Sequence, residues 1–179
     1  MIEVRIHGRG GQGAVTTAEL LAQAAFYGGK HSQAFPSFGV ERSGSPVEAY
    51  CRIDDKPIRL HEQIYEPNYL IVLDDSLFCA VNVCNGLVAS GAVIIATSKT
   101  KEQLAPQVKG KLFVVDAYDI AAKTIGKPLV NTAMLGAFAK VTGLITLENL
   151  EKAFASKFSP EIAKKNIEAA RACYNQLKE

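Results

Sequence analysis

A glycine-rich turn between a strand pattern and a helix pattern constrains the fold of this chain more than any other feature of its sequence. Residues 2–7 alternate polar and apolar side chains, which predicts a strand. Residues 13–27 carry apolar side chains at helical spacing and end at a pair of glycines. The turn matches the pattern G-x-G-x-x-G as Gly8-Arg9-Gly10-Gly11-Gln12-Gly13. A strand that passes through such a turn into a helix is typical of α/β folds.

The chain continues this alternation of strands and helices. Extended patterns recur at residues 31–35, 47–53, 69–73, 92–96 and 112–115, and helical patterns lie near residues 77–83 and 117–125. We therefore predict the α/β class, as a Rossmann-like three-layer sandwich around a mostly parallel sheet. No crossover helix precedes residues 47–53, so this segment is expected to form a hairpin that makes the sheet mixed.

The C-terminal third of the sequence is helical. Three helices are predicted at residues 131–141, 147–158 and 160–177. The sequence contains no linker, repeat or low-complexity tract. We therefore expect one domain over residues 1–179, with a helical C-terminal part at 129–179.

The charge balance argues against two classes of partner. The chain has 179 residues, with 20 Lys and Arg against 18 Asp and Glu, a net charge of +2. Binding to nucleic-acid phosphates usually needs a basic stripe, so we expect no nucleic-acid partner. No apolar run approaches the roughly 18 residues of a membrane span, and the first residues lack the pattern of a signal peptide. We expect no membrane partner and a cytoplasmic location.

The cysteines and histidines are too scattered to form a metal site. Cys51, Cys79, Cys84 and Cys173 contain no Cys-x-x-Cys pair, and the three histidines are far apart in the sequence. Structural zinc and cysteine-ligated clusters use tightly spaced ligands. We predict four free, mostly buried thiols, with no metal ligand and no catalytic residue in this chain. Any redox metal is then expected on another chain.

The glycine turn leaves two interpretations open. Its amides and the following helix N-terminus are suited to bind a phosphate, or its glycines only let strand and helix pack closely. A nicotinamide site also needs Asp or Glu about 20 residues after the turn. After Glu19 the next carboxylate is Glu41, so Lys30 with His31 would have to form a 2′-phosphate site. A stand-alone NAD(P)-dependent dehydrogenase is therefore a minor alternative.

Other polar residues suggest a working surface in the first half of the chain. Five of the six arginines lie in the first 60 residues, and arginine suits bidentate contacts with carboxylate or phosphate. Residues 35–46, which include Glu41 and Arg42, have little regular pattern. They form either a functional loop or an ordinary surface loop with a weak ion pair. Asp74-Asp75 follows a strand pattern and is interpreted as a helix cap or as a ligand-binding pair at a strand end.

Three segments, taken together, are typical of one protein family. They are the glycine turn at residues 8–13, Ala34-Phe35-Pro36-Ser37-Phe38-Gly39-Val40-Glu41-Arg42, and Asn131-Thr132-Ala133-Met134-Leu135-Gly136-Ala137-Phe138. They resemble three signatures of the gamma subunits of 2-oxoacid:ferredoxin oxidoreductases, specifically of the pyruvate:ferredoxin oxidoreductase branch, also called pyruvate synthase. The resemblance covers essentially the whole chain, although Ser43 and Ser45 depart from the residues usual in that branch.

The resemblance implies a subunit of a multi-chain enzyme. Such an enzyme decarboxylates pyruvate oxidatively with coenzyme A to acetyl-CoA and CO2, and it passes the electrons to ferredoxin. Thiamine diphosphate and the 4Fe-4S clusters are expected on the alpha, beta and delta subunits, with no cofactor bound by this chain alone. The gamma chain is expected to pack against these partners and to help shape the approach of coenzyme A.

The resemblance also selects candidate cofactor-binding residues, which are Gly8, Arg9, Gly10, Gly11, Gln12, Gly13, Glu41 and Arg42. By analogy, Arg9 and the amides of the turn are expected to meet a phosphate or a partner carboxylate. Arg42 is expected to orient an anion or to pin its loop at an interface. Neither guanidinium group transfers a proton, because guanidinium stays protonated. The remaining alternative is a purely architectural subunit whose glycine turn binds nothing.

Overall fold

The computed structural model describes residues 1–37 and 43–177, and its centre is a six-stranded mixed sheet. Its strands are β1 Ile2–Arg9, β2 His31–Pro36, β3 Pro46–Asp54, β4 Tyr69–Val72, β5 Ala92–Ala96 and β6 Lys111–Val115. They lie in the order β2-β3-β1-β4-β5-β6. β1, β4, β5 and β6 are parallel, whereas β3 is antiparallel to both β1 and β2. The predicted α/β class and the predicted hairpin are confirmed.

The hairpin changes which strand neighbours β1. β3 pairs with β1 along its whole length, from Ile2 opposite Ile53 to Arg9 opposite Pro46. In a dinucleotide-binding Rossmann fold, the strand that follows the first helix lies directly beside the first strand. Here β3 occupies that position, so β2 is displaced outward and becomes the edge of the sheet.

The helices agree with the predicted segments, apart from one short helix, at residues 101–104, that was not predicted and one predicted helix that is absent. They are α1 Ala14–Tyr27, α2 Lys101–Leu104, α3 Ala117–Thr124, α4 Ala133–Thr142, α5 Leu147–Lys157 and α6 Pro160–Gln176. The helix predicted at residues 77–83 is wrong, because a short 3-10 helix, Asp75–Cys79, ends there and turns follow. Branched Val81 and Val83 alternate with Asn82, and all three residues are weak helix formers. In the described part of the chain, no helix is both long and apolar enough to cross a membrane.

Both faces of the sheet are covered, but by different kinds of structure. Alternation along the strands sends Ile71 and Ile94 into a large core that they share with residues of α1 and α3 to α6. Leu70 and Val93 face a smaller core, which is closed by Leu77 of the 3-10 helix and by residues of the turns and α2. The predicted three layers are present, and the second covering layer consists mostly of turns and short helices.

The two connections from the centre of the sheet leave on opposite faces. α1, which follows β1, packs in the large core, whereas the segment after β4 packs in the smaller core. Right-handed crossovers require this arrangement when the chain moves outward in both directions from the middle of a sheet. The carboxyl ends of β1 and β4 therefore border the crevice where open α/β sheets usually bind ligands.

Two of the arginines expected on a working surface are buried in the fold. Arg5 donates from Nη1 to the Ile64 carbonyl at 3.4 Å and from Nη2 to the Asn85 carbonyl. Arg52 donates from Nε to Glu3 Oε1 at 2.8 Å, and its side chain is 1% exposed. Arg52 also donates from Nη2 to the Gln63 carbonyl at 3.3 Å, so both arginines hold the segment between β3 and β4 against the sheet. The expectation that the front arginines form a working surface is wrong for Arg5 and Arg52, because their charges serve internal contacts.

The buried His7 side chain leads to a prediction about acid stability. Burial and the charge of Arg5 lower the pKa of His7 to about 3, although Glu48 Oε1 lies 3.5 Å from Nδ1. In the unfolded chain the pKa returns to about 6.5, so the unfolded state binds a proton that the folded state does not. This contribution to stability is present above pH 6.5 and is lost as the pH falls toward 3. We expect the free energy of unfolding to fall by about 2 kcal/mol between about pH 7.5 and about pH 5.

Urea unfolding of the wild-type chain and of His7→Gln over this pH range tests the prediction. The variant lacks the imidazole. Between about pH 7.5 and about pH 5, its free energy of unfolding should therefore fall by about 2 kcal/mol less than that of the wild type. Equal pH dependence in the two proteins would mean that His7 does not cause the acid sensitivity.

Candidate functional site

The glycine turn lies at the carboxyl end of β1, and its glycines permit close packing. β1 extends through Gly8 and Arg9, so only residues 10–13 of the glycine turn lie beyond the strand. A Cβ atom on Gly8 would lie 3.2 Å from Leu73 Cδ1 and 3.3 Å from the Ala14 Cβ. Gly13 has φ +83°, and its Cβ would lie 2.7 Å from Asn131 Nδ2. The packing interpretation of these two glycines therefore has direct geometric support.

Of the four amide groups of residues 10–13, two donate hydrogen bonds within the protein. The Gly10 amide donates to the Ser45 carbonyl at 2.9 Å, and the Gln12 amide donates to the Arg9 carbonyl at 2.9 Å. Among residues 1–37 and 43–177, no acceptor is bonded to the amides of Gly11 or Gly13. Gly11 is exposed at φ +93°, with no atom within 4 Å of its would-be Cβ. Within the described ranges, the amides of Gly11 and Gly13 therefore have no acceptor.

The Gln12 side chain connects the two central strands. Its Oε1 accepts a hydrogen bond from the Arg9 amide at 2.8 Å, and its Nε2 donates to Asp74 Oδ2 at 3.0 Å. Nε2 also lies 3.4 Å from the Tyr118 hydroxyl, which donates to the Leu73 carbonyl at 2.8 Å. The side chain of Gln12 therefore crosses the crevice between the ends of β1 and β4.

The Arg9 side chain joins the glycine turn to the segment that follows the second signature. Its Nη1 donates to the Gly44 carbonyl at 3.0 Å, and its Nε and Nη2 donate to Ser76 Oγ at 3.1 and 2.6 Å. Nε also lies 3.3 Å from Asp74 Oδ2. The Gly44 amide in turn donates to the Gly10 carbonyl at 3.1 Å. Glu41 and Arg42 lie outside the described residues, but the chain that follows them is held against the glycine turn.

The protonation states of this network are settled by its surroundings. Burial alone would raise the pKa of Asp74, but the hydrogen bonds from Ser76 and Gln12, together with the Arg9 charge, lower it overall. Burial, with the charges of Asp74 and Asp75, raises the pKa of Tyr118 to about 12. At neutral pH Asp74 is therefore an anionic acceptor and Tyr118 a neutral donor, which keeps the network in one arrangement.

Sequence reasoning found part of this network and missed the rest. Asp74 does cap the 3-10 helix, because its Oδ1 accepts from the Ser76 amide at 2.9 Å. It also contacts Arg9 and Gln12, which makes it part of the site. Ser76 and Tyr118 were not among the candidates. Ser76 directly follows the Asp74-Asp75 pair that ends a strand pattern, which was an available signal, whereas nothing local distinguishes Tyr118.

The geometry disfavours a nicotinamide site. β2, which should bring a carboxylate to the ribose, is separated from β1 by β3, and its six residues include no Asp or Glu. Two strand spacings, about 9.6 Å, therefore separate β2 from β1. Lys30, considered for a 2′-phosphate, forms an ion pair with Asp55.

Cysteines and other metal-ligating residues are dispersed in the structure. Cys51, Cys84 and Cys173 are buried and Cys79 is exposed, and all four are free thiols as predicted. Burial raises the pKa of Cys51, and burial with the charge of Asp116 raises the pKa of Cys173 to about 12. Within residues 1–37 and 43–177, no three His, Cys, Asp or Glu side chains come together as metal ligands.

The described part of the chain is an α/β domain whose glycine turn is braced by contacts within the chain, and comparison with known proteins gives its family. The chain belongs to the pyruvate ferredoxin/flavodoxin oxidoreductase family, whose model matches residues 3–176. A Pyrococcus furiosus relative, the common subunit gamma of pyruvate/ketoisovalerate oxidoreductases, is 55% identical over 179 residues, which is 98% of this chain and 97% of the relative. Pyruvate synthase subunit PorC of Methanocaldococcus jannaschii is 53% identical over 177 residues, or 99% and 97% of the two chains.

Solved structures show the same fold. Pyruvate oxidoreductase subunit PORC from Thermotoga maritima superimposes with a TM-score of 0.86 at 38% identity, covering 97% of this chain and 95% of that one. A 2-oxoglutarate:ferredoxin oxidoreductase from Magnetococcus marinus matches with a TM-score of 0.76 at 17% identity, covering 99% of this chain and 31% of that chain, which supports the fold alone. The resemblance to gamma subunits that the three sequence signatures predicted is confirmed.

Proposed function

We propose that this chain is the gamma subunit of a cytoplasmic, multi-subunit pyruvate (2-oxoacid):ferredoxin oxidoreductase. The assembled enzyme converts pyruvate and coenzyme A to acetyl-CoA and CO2 and transfers two electrons to ferredoxin. One observation carries the proposal: more than half of the residues match, end to end, those of relatives named gamma subunit and subunit PorC. The alpha, beta and delta subunits are its partners.

The residues of this chain do not fit the cofactors of that reaction. The buried Cys51 and Cys173 thiols belong to the large core, and the dispersed cysteines do not offer the spaced thiolates that an iron-sulfur cluster requires. The 4Fe-4S clusters, which supply electron transfer, are therefore assigned to the partner subunits. Thiamine diphosphate, which supplies decarboxylation, is assigned to the partners by the resemblance to the family. The role of this chain is to pack against the partner subunits and to help shape the approach of coenzyme A to the active site.

The glycine turn is the element through which the chain contributes. The exposed Gly11 amide and the Gly13 amide, at the start of α1, are suited to an anionic group such as a phosphate of coenzyme A or a partner carboxylate. Arg9 is a positioning residue, because its donors hold Gly44 and Ser76. By the same proposal Glu41 and Arg42, which lie outside the described residues, take part in cofactor binding, and Arg42 orients an anion or pins its loop at an interface.

The chain is not expected to select the 2-oxoacid. The Pyrococcus furiosus relative is named a subunit common to pyruvate and ketoisovalerate oxidoreductases. A subunit that serves two such enzymes does not by itself distinguish their substrates. If this chain shares that property, the Michaelis constant for pyruvate depends on the partner subunits.

Substitution of Arg9 tests the role of the turn in the assembled enzyme. Arg9→Ala removes the contacts to Gly44, Ser76 and Asp74, so the two segments beside the turn lose their common anchor. We expect the Michaelis constant for coenzyme A to rise about tenfold, which is about 1.4 kcal/mol of lost binding, while that for pyruvate stays the same. Steady-state rates of ferredoxin reduction with each substrate varied in turn give both constants.

Arg171→Ala is the matched control, because Arg171 is exposed on α6 and, among the described residues, forms an ion pair only with Glu151, at 3.3 Å. It should leave both Michaelis constants unchanged. An unchanged coenzyme A constant in Arg9→Ala, with assembly intact, would favour the purely architectural subunit. Turnover of pyruvate by the isolated chain, or its failure to associate with matching alpha, beta and delta subunits, would contradict the proposed function as a whole.

A further inference from the structure

A second concave region lies beside the first turn of α1, next to the glycine turn. It is a cavity of about 480 Å³ between the first turn of α1, the segment before α4, and the junction of α5 with α6. We call it the α1–α6 pocket, and its lining consists of Thr16, Ile125, Lys127, Leu129, Asn131, Thr132, Phe158, Ile162, Lys165 and Asn166. It includes the first two residues of the third family signature, Asn131 and Thr132, and Asn131 also packs against Gly13.

The α1–α6 pocket has exposed apolar side chains in its walls and hydrogen-bonded polar side chains at its floor. Leu129 is 47% exposed and Ile162 is 49% exposed, although both are large aliphatic side chains. At the floor, the buried Thr132 hydroxyl bonds Asn166 Oδ1, and Asn166 Nδ2 donates to the Ile162 carbonyl at 2.8 Å. Exposed apolar walls above a polar, satisfied floor are typical of pockets that receive an apolar side chain.

The charged side chains that line the α1–α6 pocket are both lysines. No Asp or Glu is among its lining residues, whereas Lys127 and Lys165 are. The Lys127 ammonium forms no ion pair with any residue in the described ranges, and Lys165 pairs only with the exposed Glu161 at 3.1 Å. The first turn of α1 also lacks an acidic residue. An occupant with a negative charge beside its apolar group is therefore favoured.

We propose that the α1–α6 pocket docks a segment of a partner subunit that places an apolar side chain in the cavity and an adjacent Asp or Glu beside Lys127. This rests on the proposed function, because it requires the chain to be assembled with partners. The apolar side chain covers Leu129 and Ile162, and the carboxylate supplies the charge that the lining lacks.

Lysine acetylation of the intact complex and of the isolated chain, followed by mass spectrometry, tests the docking. We expect the reactivity of Lys127 to fall at least tenfold on assembly. Lys109, an exposed lysine outside the pocket with no ion pair in the described ranges, is the reference and should change less than twofold. A carbodiimide should link Lys127 or Lys165 directly to an acidic residue of another subunit.

Charge reversal provides the matched variants. Lys127→Glu should weaken association with the other subunits at least tenfold, and Lys109→Glu should leave it unchanged. Both side chains are exposed, so thermal melting of the isolated variants should be unaltered.

If the complex assembles and reduces ferredoxin but Lys127 stays reactive, the docking proposal fails and the proposed function stands. If the chain joins no complex, both fail. Protection of Lys127 in the isolated chain by coenzyme A alone would make the pocket a small-molecule site and overturn the docking proposal.

Discussion

Replacing Gly136 with alanine is expected to destabilise the chain by about 3 kcal/mol or more. Gly136 lies in α4 where this helix crosses α6, and a Cβ atom there would lie 1.8 Å from the Ala170 carbonyl oxygen and 2.5 Å from its carbon. These are backbone atoms, so no side chain can rotate away to make room. Alanine is the better helix former by about 1 kcal/mol, but moving two packed helices apart costs more.

Thermal and urea unfolding of Gly136→Ala measure the loss. Gly29→Ala is a useful control, because Gly29 has φ +79° and no atom within 4 Å of its would-be Cβ. It should cost only the about 1 to 2 kcal/mol of a left-handed backbone conformation. A stability of Gly136→Ala equal to that of the wild type would show that α4 and α6 separate without loss.

Removing the Arg52 side chain is expected to cost about 3 to 5 kcal/mol. Arg52 is among the largest fully buried side chains, its Nε bonds Glu3 at 2.8 Å, and its guanidinium lies 5.1 Å from the Phe35 ring centroid. Arg52→Ala therefore leaves a cavity and an unpaired carboxylate whose side chain is only 20% exposed. Urea unfolding gives the change in free energy.

A double-mutant cycle separates the charge effect from the cavity. Arg52→Met retains most of the volume, and combining it with Glu3→Gln removes both charges, so the double variant should recover part of the stability lost by Arg52→Met alone. The exposed Lys152–Glu148 pair on α5, at 2.7 Å, should give a coupling of only about 0.5 kcal/mol or less in the same cycle. Equal coupling energies for the Arg52–Glu3 and Lys152–Glu148 pairs would show that burial does not strengthen the Arg52–Glu3 interaction.

Local sequence patterns predicted most of the elements, because each pattern reflects the environment of its own residues. The strand at residues 92–96 was predicted from a short apolar run, and Ala92–Ala96 is buried on both faces of the sheet. The helix patterns after residue 129 correspond to α4, α5 and α6. There are two exceptions: the short helix α2 was not predicted, and residues 77–83 have apolar side chains that pack as turns in the smaller core, where burial does not require a helix.

The candidate site was predicted only in part. Gly8 and Gly13 were selected from spacing, and the structure gives each a packing reason. The internal bonds of Gly10 and Gln12 were not foreseen, because their partners come from Ser45 and Asp74, far away in the sequence. Tyr118 reaches the same crevice from α3, a contact over 106 residues that no local pattern reveals.

The sequence by itself determined the α/β class, the glycine turn between β1 and α1, and membership in the oxidoreductase family, because periodicity and short motifs are local properties. Only the tertiary structure decided that β3 pairs with β1, that Arg5 and Arg52 are internal, and that Gln12 crosses the crevice. It also brought Lys127 and Ile162 to one pocket. Strand pairing and helix packing join residues that are distant along the chain, and the free energy of those contacts depends on the whole fold rather than on any one segment.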